Sequence, residues 1–309
     1  MSEYLPEGRL SADPSNLHKM SSPKRLHEAA QTGDVLEARA VMCDAAHNLT
    51  VDLGCMRGVI PREDGALGIR DGSVRDIAII SRVNRPVCFT VTEFRTDRSG
   101  AEYAVLSREN AQKKCMESFI SSLRKGDVVD AKITHLESFG AFADIGCGIV
   151  ALMPIDAISV SRIEHPKERF SVGMDIRAVV RSKENGRISL SHKELLGTWE
   201  QNAARFRAGE TVSGIVRSVE HYGAFVELAP NLAGLAESRA GVEAGQQASV
   251  YIKSIIPEKM KIKLIIIDSQ DAEISPEPLE YFIDTDSVRH IDSWIYSPPT
   301  CKRVIESVF

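Results

Sequence analysis

"GDVVDAKITHLESFGAFADIG", which begins at Gly126, returns as "GETVSGIVRSVEHYGAFVELA" from Gly209. The copies hold one register without a gap: Gly126 and Gly209 lie 83 residues apart, and so do Gly140 and Gly223. A fixed internal period limits the fold more than any composition figure does, because each copy must be a similar structural unit. Both copies alternate apolar and polar residues, at Val128, Ile133 and Leu136 in one and at Val212, Ile215 and Val219 in the other, as half-buried strands do. Short strand-like runs follow: "IVALMPI", "DIRAVVRS" and "GRISLS" in the first, "LAGLA", "QASVYIKSII" and "MKIKLIII" in the second. Five short strands split by Gly, Pro and Asn are too few for a sandwich. They suit a small five-stranded barrel, which also removes exposed strand edges. No segment between the runs is long enough for a crossover helix, so a parallel α/β architecture is excluded within the repeats.

A third, worn copy lies upstream. "VDLGCMRGVIP" at 51–61 parallels "ADIGCGIVALMP" at 143–154, and "AVLSREN" at 104–110 parallels "ISLSHKE" at 188–194. His47 and Thr50 stand there in place of Phe139 and Phe142. Helices should join the units. Pro23 opens one over 22–32. Ser107 opens a second, with Ala111, Cys115, Phe119 and Leu123 on one face. The Ser191–Glu194 capping box opens a third, with Leu195, Trp199, Ala203 and Phe206 aligned. The expectation is a mainly β chain of three tandem five-stranded OB-type barrels, the first degenerate. Its division is 1–34 as an N-terminal extension and helix, 35–124 as the degenerate barrel and linker helix, 125–207 and 208–268 as the two clear repeats, and 269–309 as an acidic C-terminal tail.

With 43% hydrophobic and 26% charged residues, the chain reads as a globular protein rather than a disordered one. Its start, "MSEYLPEGRL", has no apolar run of the secretory type, and "LIII" at 264–267 is far too short to span a membrane. The six cysteines are scattered with no CxxC pair, which points to reduced thiols and a cytoplasmic setting, not to zinc or disulfides. Basic and acidic residues balance over 125–198 and again over 199–268. The tail, with 3 basic and 8 acidic residues, carries the whole net charge of −5. A neutral body can still attract phosphate through a local basic strip, but a strongly salt-driven binder is not expected.

The central copy, from "GDVVDAKITHLESFGAFADIG" through "FSVGMDIRAVV" to "GRISLSHKE", resembles an S1 RNA-binding domain of the OB-fold class. The tandem arrangement is similar to the bacterial ribosomal protein S1 family. The resemblance runs nearly end to end over Gly126–Glu194, closely to Phe225 and more loosely after it in the next copy, and only in outline in the first. It implies RNA binding through two aromatics, a residue on the third strand and a basic residue opening the fifth. Phe139, Phe142 and Arg187 match these places in the central copy; Tyr222, Phe225 and Lys261 match in the next. The physical logic is independent of the family: an unpaired base has two π faces, and each one stacked on an aromatic ring is worth about 1 to 3 kcal/mol. Gly140 between the rings would permit a bulge that lets both reach one surface. The chain also departs from the family, placing Pro154 and Glu237 where a third-strand His is usual and Lys183 where an acidic residue is common. That implies retuned binding, strongest in the central copy.

Taken alone, a Phe in a strand is more often core than surface; the in-register echo, with Tyr222 keeping a polar tip, favours exposure of Phe139 in particular. Lys132, His135, Arg162 and Arg181 read first as solvated faces. Asp284, Asp286, His290 and Asp292 resemble metal ligands, but an unrepeated acidic tail is a poor scaffold for one, and no metal or cofactor is expected. No GxxxxGK[ST], HExxH or GxSxG motif occurs, so no enzyme is expected. The resemblance implies a single-stranded RNA or mRNA partner and a place at the small ribosomal subunit. A regulatory RNA-binding protein acting off the ribosome and a protein-interaction scaffold are the alternatives. The tail carries Tyr281, Phe282, Trp294, Ile295 and Tyr296, more apolar weight than a disordered acidic segment should have, so it either folds back on a barrel or docks a partner.

Overall fold

Period-2 alternation in strands of four to eleven residues leaves one face of each sheet apolar, and closure of the sheet on itself buries that face. The computed structural model, which describes residues 4–184, 186–271 and 278–309, contains three such closures. The first barrel comprises β1 (Leu36–Cys43), β2 (Leu49–Asp52), β3 (Arg57–Ile60), β4 (Pro86–Thr96) and β5 (Glu102–Ser107). The second comprises β6 (Val128–Glu137), β7 (Gly140–Asp144), β8 (Val150–Pro154), β9 (Asp175–Glu184) and β10 (Arg187–Ser191). The third comprises β11 (Thr211–Glu220), β12 (Gly223–Ala229), β13 (Leu232–Ala236), β14 (Gln247–Ile256) and β15 (Lys261–Gln270). In each barrel the third and fifth strands run parallel, through Val59↔Val105, Leu152↔Ser189 and Leu235↔Lys263. The worn upstream copy is therefore a complete barrel of the same topology.

Chain contacts divide the molecule into two units. One contains residues 1–123 with 130–132 and 144–150; the other contains the remainder. In the first unit, inward residues Leu36, Leu49, Ile60, Phe89 and Leu106 make the barrel core together with Leu26. Leu26 comes from the helix Pro23–Thr32, whose first turn is Pro-started and whose end is closed by Gly33 at φ 66°. Ser107 caps the helix Arg108–Ser118, as its sequence pattern predicts.

The second unit joins its two barrels by buried ion pairs and by the C-terminal segment. Arg169, in the β8–β9 connection, and Arg217, on β11, converge on Glu227 of β12. Arg217 donates through Nε at 2.9 Å and Nη2 at 3.1 Å; all three side chains are almost fully buried. Asn231 donates to the carbonyls of Lys193 and Gly197 at 2.8 and 3.0 Å and accepts from the Val160 amide at 2.9 Å. The tail folds back. Tyr281, Ile283, Val288, Ile291 and Phe309 pack against Val128, Val179 and Leu195, while Trp294 and Tyr296 join the core of the third barrel. A short ladder between β16 (Ser293–Ile295) and β17 (Glu306–Val308) closes the segment. His290, which beside Asp284, Asp286 and Asp292 resembles part of a ligand set, pairs with Asp127 at 2.7 Å and Asp292 at 3.3 Å.

One helix departs from expectation. The stretch after Ser191 is not continuous: it forms a 3₁₀ turn over Lys193–Leu196, breaks at Gly197 with φ 82°, and restarts as the short helix Trp199–Ala203. Ser191 does hydrogen-bond Glu194, but through its side chain, inside the 3₁₀ turn. The capping box that starts the α-helix is Thr198 with Gln201. Gly197 breaks the run because a left-handed backbone carries the chain across the Asn231 amide, which takes its carbonyl.

Candidate nucleic-acid interface

The turn between β6 and β7 carries Phe139, and β7 carries Phe142. Ala141 and Ala143 point into the barrel, so strand alternation sends Phe142 outward, where it is half-buried. Phe139 lies 56% exposed. Its carbonyl accepts the amide of Ile155 at 2.9 Å, which ties the turn to the end of β8 and holds the ring against a fixed backbone. The Thr134 hydroxyl donates to the carbonyl of Phe142 at 3.1 Å from the neighbouring strand.

The third barrel repeats this geometry closely. Tyr222 is 55% exposed and Phe225 half-buried, with Ala224 and Val226 inside. The Phe139 and Phe142 ring centroids are 6.0 Å apart at 90°, and those of Tyr222 and Phe225 are 6.2 Å apart at 89°. Both barrels thus present an edge-to-face pair with one ring open to solvent. A histidine lies against each pair, His135 at 6.2 Å from Phe142 and His221 at 4.9 Å from Tyr222.

The glycine in each motif has a different role from the expected bulge. A Cβ at Gly140 would stand 2.4 Å from the carbonyl oxygen of Met153, and one at Gly223 would stand 2.3 Å from that of Ala236. The residue is glycine because the next strand passes too close for any side chain. The bulge of the third barrel lies in the preceding strand, between Val216 and Ser218.

The basic residues sit on the fifth strands. Arg187 opens β10 opposite Glu184 and is exposed. Lys261 opens β15 and is exposed. Register shows a cation that sequence reading missed: Phe225 pairs with Leu235, and Leu235 pairs with Lys263, so Lys263 rather than Lys261 lies in the row that starts at Phe225. The corresponding position in the second barrel, opposite Leu152, is Ser189. Lys263 was not recoverable from spacing, since the parallel β13–β15 register is fixed by barrel closure. Pro154 ends β8 beside Gly140, its Cα 3.1 Å from the position of a Cβ there, and exposed Glu237 follows β13.

The flanking charges are partly engaged. His135 bonds Glu137, and Arg181 lies 3.4 Å from Asp156. Arg162 is exposed. In the first barrel His47 occupies the place of the open aromatic. It adopts φ 64° and lies 3.2 Å from Asp76, which Arg62 also contacts at 2.8 Å. The adjacent Arg62 guanidinium holds the Asp76 carboxyl below its ordinary range. Where the other barrels offer a ring, this one offers an ion-paired cluster. Among the described residues no group of three or more His, Cys, Asp or Glu is arranged to hold a metal ion, and no helix is long and apolar enough to cross a membrane.

Comparison with known proteins finds similarity at the level of the repeats. Residues 122–193 match the family model of the S1 RNA binding domain. Over 258 residues the chain is 31% identical to the small ribosomal subunit protein bS1 of Staphylococcus aureus (strain COL), covering 78% of this chain and 63% of that protein. It is 31% identical over 257 residues to the bS1 homolog of Bacillus subtilis (strain 168), covering 80% and 63%. The chain thus spans about 63% of the length of these relatives. Among solved structures, GSP13 from Bacillus subtilis is 28% identical, covers 23% of this chain and 55% of its own, and superposes with a TM-score of 0.22.

Proposed function

From the premise that this chain is a tandem S1-domain protein similar to the bacterial small-subunit ribosomal protein bS1, we propose that it binds single-stranded RNA by stacking bases on the aromatic pairs of its second and third barrels. The observation that carries this reading is the repeated edge-to-face pair, at 6.0 Å and 90° and again at 6.2 Å and 89°, with Phe139 and Tyr222 open. In an edge-to-face pair a base lying flat on the open ring meets the second ring by its edge. Each barrel therefore offers one flat seat, worth about 1 to 3 kcal/mol. Arg187 in one barrel and Lys261 with Lys263 in the other take the phosphates on either side.

One stacked base per barrel gives modest affinity. Two barrels joined by the Arg169–Glu227–Arg217 cluster act on the same strand, so the second contact forms at high effective concentration. The first barrel, with His47 paired to Asp76, contributes no stacking seat. This chemistry suits capture of mRNA in the cytoplasm at the small ribosomal subunit, with no catalytic step. Fluorescence anisotropy of labelled oligo(U) with the full chain tests the reading. Phe139→Ala/Phe142→Ala and Tyr222→Ala/Phe225→Ala should each lower affinity by roughly tenfold or more. Unchanged affinity in both variants contradicts it.

A further inference from the structure

Three of the six cysteines meet inside the first unit, although no spacing in the sequence links them. Cys88 lies on β4, Cys115 on the helix Arg108–Ser118, and Cys147 in the turn that follows β7. All three are fully buried and reduced. A single buried cysteine packs as a small apolar residue. Here the Cys147 sulfur takes hydrogen bonds from the thiols of both Cys115 and Cys88. One face of the helix docks on this turn. Gln112 donates to the Cys147 carbonyl at 3.2 Å, and Cys115 Sγ sits so close to Gly146 that a Cβ there would stand 3.0 Å from it. Cys147 itself adopts φ 49°, a left-handed backbone that is uncommon for a residue with a side chain.

We propose that Cys115 and Cys147 form an oxidation site that hydrogen peroxide converts to a disulfide, locking the helix to the turn after β7. The Cys147 thiolate attacks one peroxide oxygen, the O–O bond breaks, and the departing hydroxide takes up a proton as water. The Cys115 sulfur then attacks the sulfenic sulfur of Cys147. The S–S bond forms, the S–O bond breaks, and the Cys115 proton leaves with the hydroxide as a second water. Two thiols lose two electrons, and one peroxide gains them. The hydrogen bonds from Cys115 and Cys88, aided by the Arg108 guanidinium, hold the Cys147 thiol below its ordinary pKa, which favours the nucleophilic thiolate. Cys115 is the partner because its sulfur already sits against the backbone that precedes Cys147, whereas the Cys88 thiol is also drawn to Glu37 Oε2 at 3.6 Å.

Burial makes the reaction wait on a local opening. The segment Tyr4–Glu7 lies along the turn, with its Leu5 carbonyl accepting the Cys147 amide at 2.9 Å. Glu7 holds the segment down. Its amide donates to Asp144 at 2.7 Å, and its carboxylate accepts from Arg108 at 2.7 and 3.1 Å and from Arg82 at 3.1 Å. Peroxide reaches Cys147 when these bonds part, so this strap sets the rate. Once formed, the disulfide removes freedom from the unfolded chain and stabilises the unit.

Peptide mapping of the full chain by mass spectrometry, after peroxide treatment, acid quench and alkylation in denaturant, tests the proposal. It should find one disulfide between the Cys115 and Cys147 peptides, reversed by dithiothreitol, and the oxidised chain should melt at a higher temperature than the reduced one. Cys88→Ser should still form this disulfide. Cys115→Ser should stop at a Cys147 sulfenic acid that dimedone traps. Glu7→Gln, its fold checked by a melting curve, should speed disulfide formation by about tenfold, the worth of a charged hydrogen bond. Free thiols at both Cys115 and Cys147, once peroxide has oxidised the half-buried Cys43 and Cys55, overturn the proposal. So does a Cys88–Cys147 disulfide, or Cys147 sulfonic acid beside an intact Cys115 thiol. An unchanged rate in folded Glu7→Gln overturns the strap as the gate. No readout here involves RNA, so the result stands apart from the stacking reading.

Discussion

Glu227 is the residue whose removal should do most damage to the unit formed by the second and third barrels. Its carboxylate accepts from Arg169 and, in a fork at 2.9 and 3.1 Å, from Arg217; the side-chain exposures of the three are 5 to 7%. Glu227→Ala leaves Arg217 its second partner, Glu168. Arg169 fares worse: it keeps only the Glu168 carbonyl, at 3.4 Å from Nη1, while its Nε already lacks an acceptor. Burial pulls the pKa of Arg169 down while Glu227 opposes that, so the charge loses its main support. A buried cation left without its partner costs about 3 to 5 kcal/mol. For a unit of this size that lowers the melting temperature by roughly 10 °C. Urea unfolding followed by tryptophan fluorescence reads the change, since both tryptophans, Trp199 and Trp294, are buried in this unit. Replacing the cluster as a whole, with Arg169→Met, Glu227→Leu and Arg217→Met, should cost far less, because no buried cation is stranded and Glu168, which loses Arg217, still accepts the Glu164 and His165 amides at 2.8 and 2.9 Å. A loss below about 1 kcal/mol for Glu227→Ala, or equal losses for both variants, refutes the reasoning.

Four further outcomes follow from the geometry. His192 lies buried against Phe170 and Tyr281, and burial lowers its pKa to about 4 from 6.5. The unfolded chain therefore takes the proton first as pH falls. His192 stabilises the fold above about 6.5, and that contribution, up to roughly 3 kcal/mol, is lost between 6.5 and 4. His192→Gln should flatten urea stability across that window, and an unchanged slope counts against it. Trp294→Ala, which empties a site in the core of the third barrel, should cost about 3 kcal/mol by denaturant unfolding; a loss near zero means the tail does not stabilise that barrel. Gly140→Ala sets a Cβ 2.4 Å from a backbone oxygen and should cost about 1 to 3 kcal/mol, with wild-type stability contradicting the close-approach account. Lys263→Ala should weaken oligo(U) binding and reduce its salt slope by about one, more than Lys261→Ala does. The reverse order would place the phosphate path off the Phe225 row.

Much of the architecture is legible in the chain because the informative pattern is local. Alternation, the 83-residue echo and the glycines at 140 and 223 specify the barrels, and the echo marks the rings that turn outward. Phe139 and Tyr222 accordingly stand in the same geometry. What the sequence hides depends on distant partners. Glu227 occupies a polar strand position that reads as solvent-facing, yet arginines from both barrels bury it. The tail folds back through Tyr281, whose hydroxyl accepts from the Arg177 amide at 2.9 Å, and through Tyr296, which donates to the Asn231 carbonyl. Neither partner is implied by any spacing. The run after Ser191 carried helical periodicity, but Gly197 and the Thr198 cap divided it. Lys263 entered the aromatic row only once the barrel had closed.

The central claim is that a base lies flat on the ring at position 139. Phe139→Trp places a fluorophore at that exposed site, while Trp199 and Trp294 stay buried. Titration with oligo(U), read at once by tryptophan emission and by RNA anisotropy, should give quenching that follows binding with the same midpoint. Binding without any change in emission beyond that of the Phe139 parent would contradict stacking there.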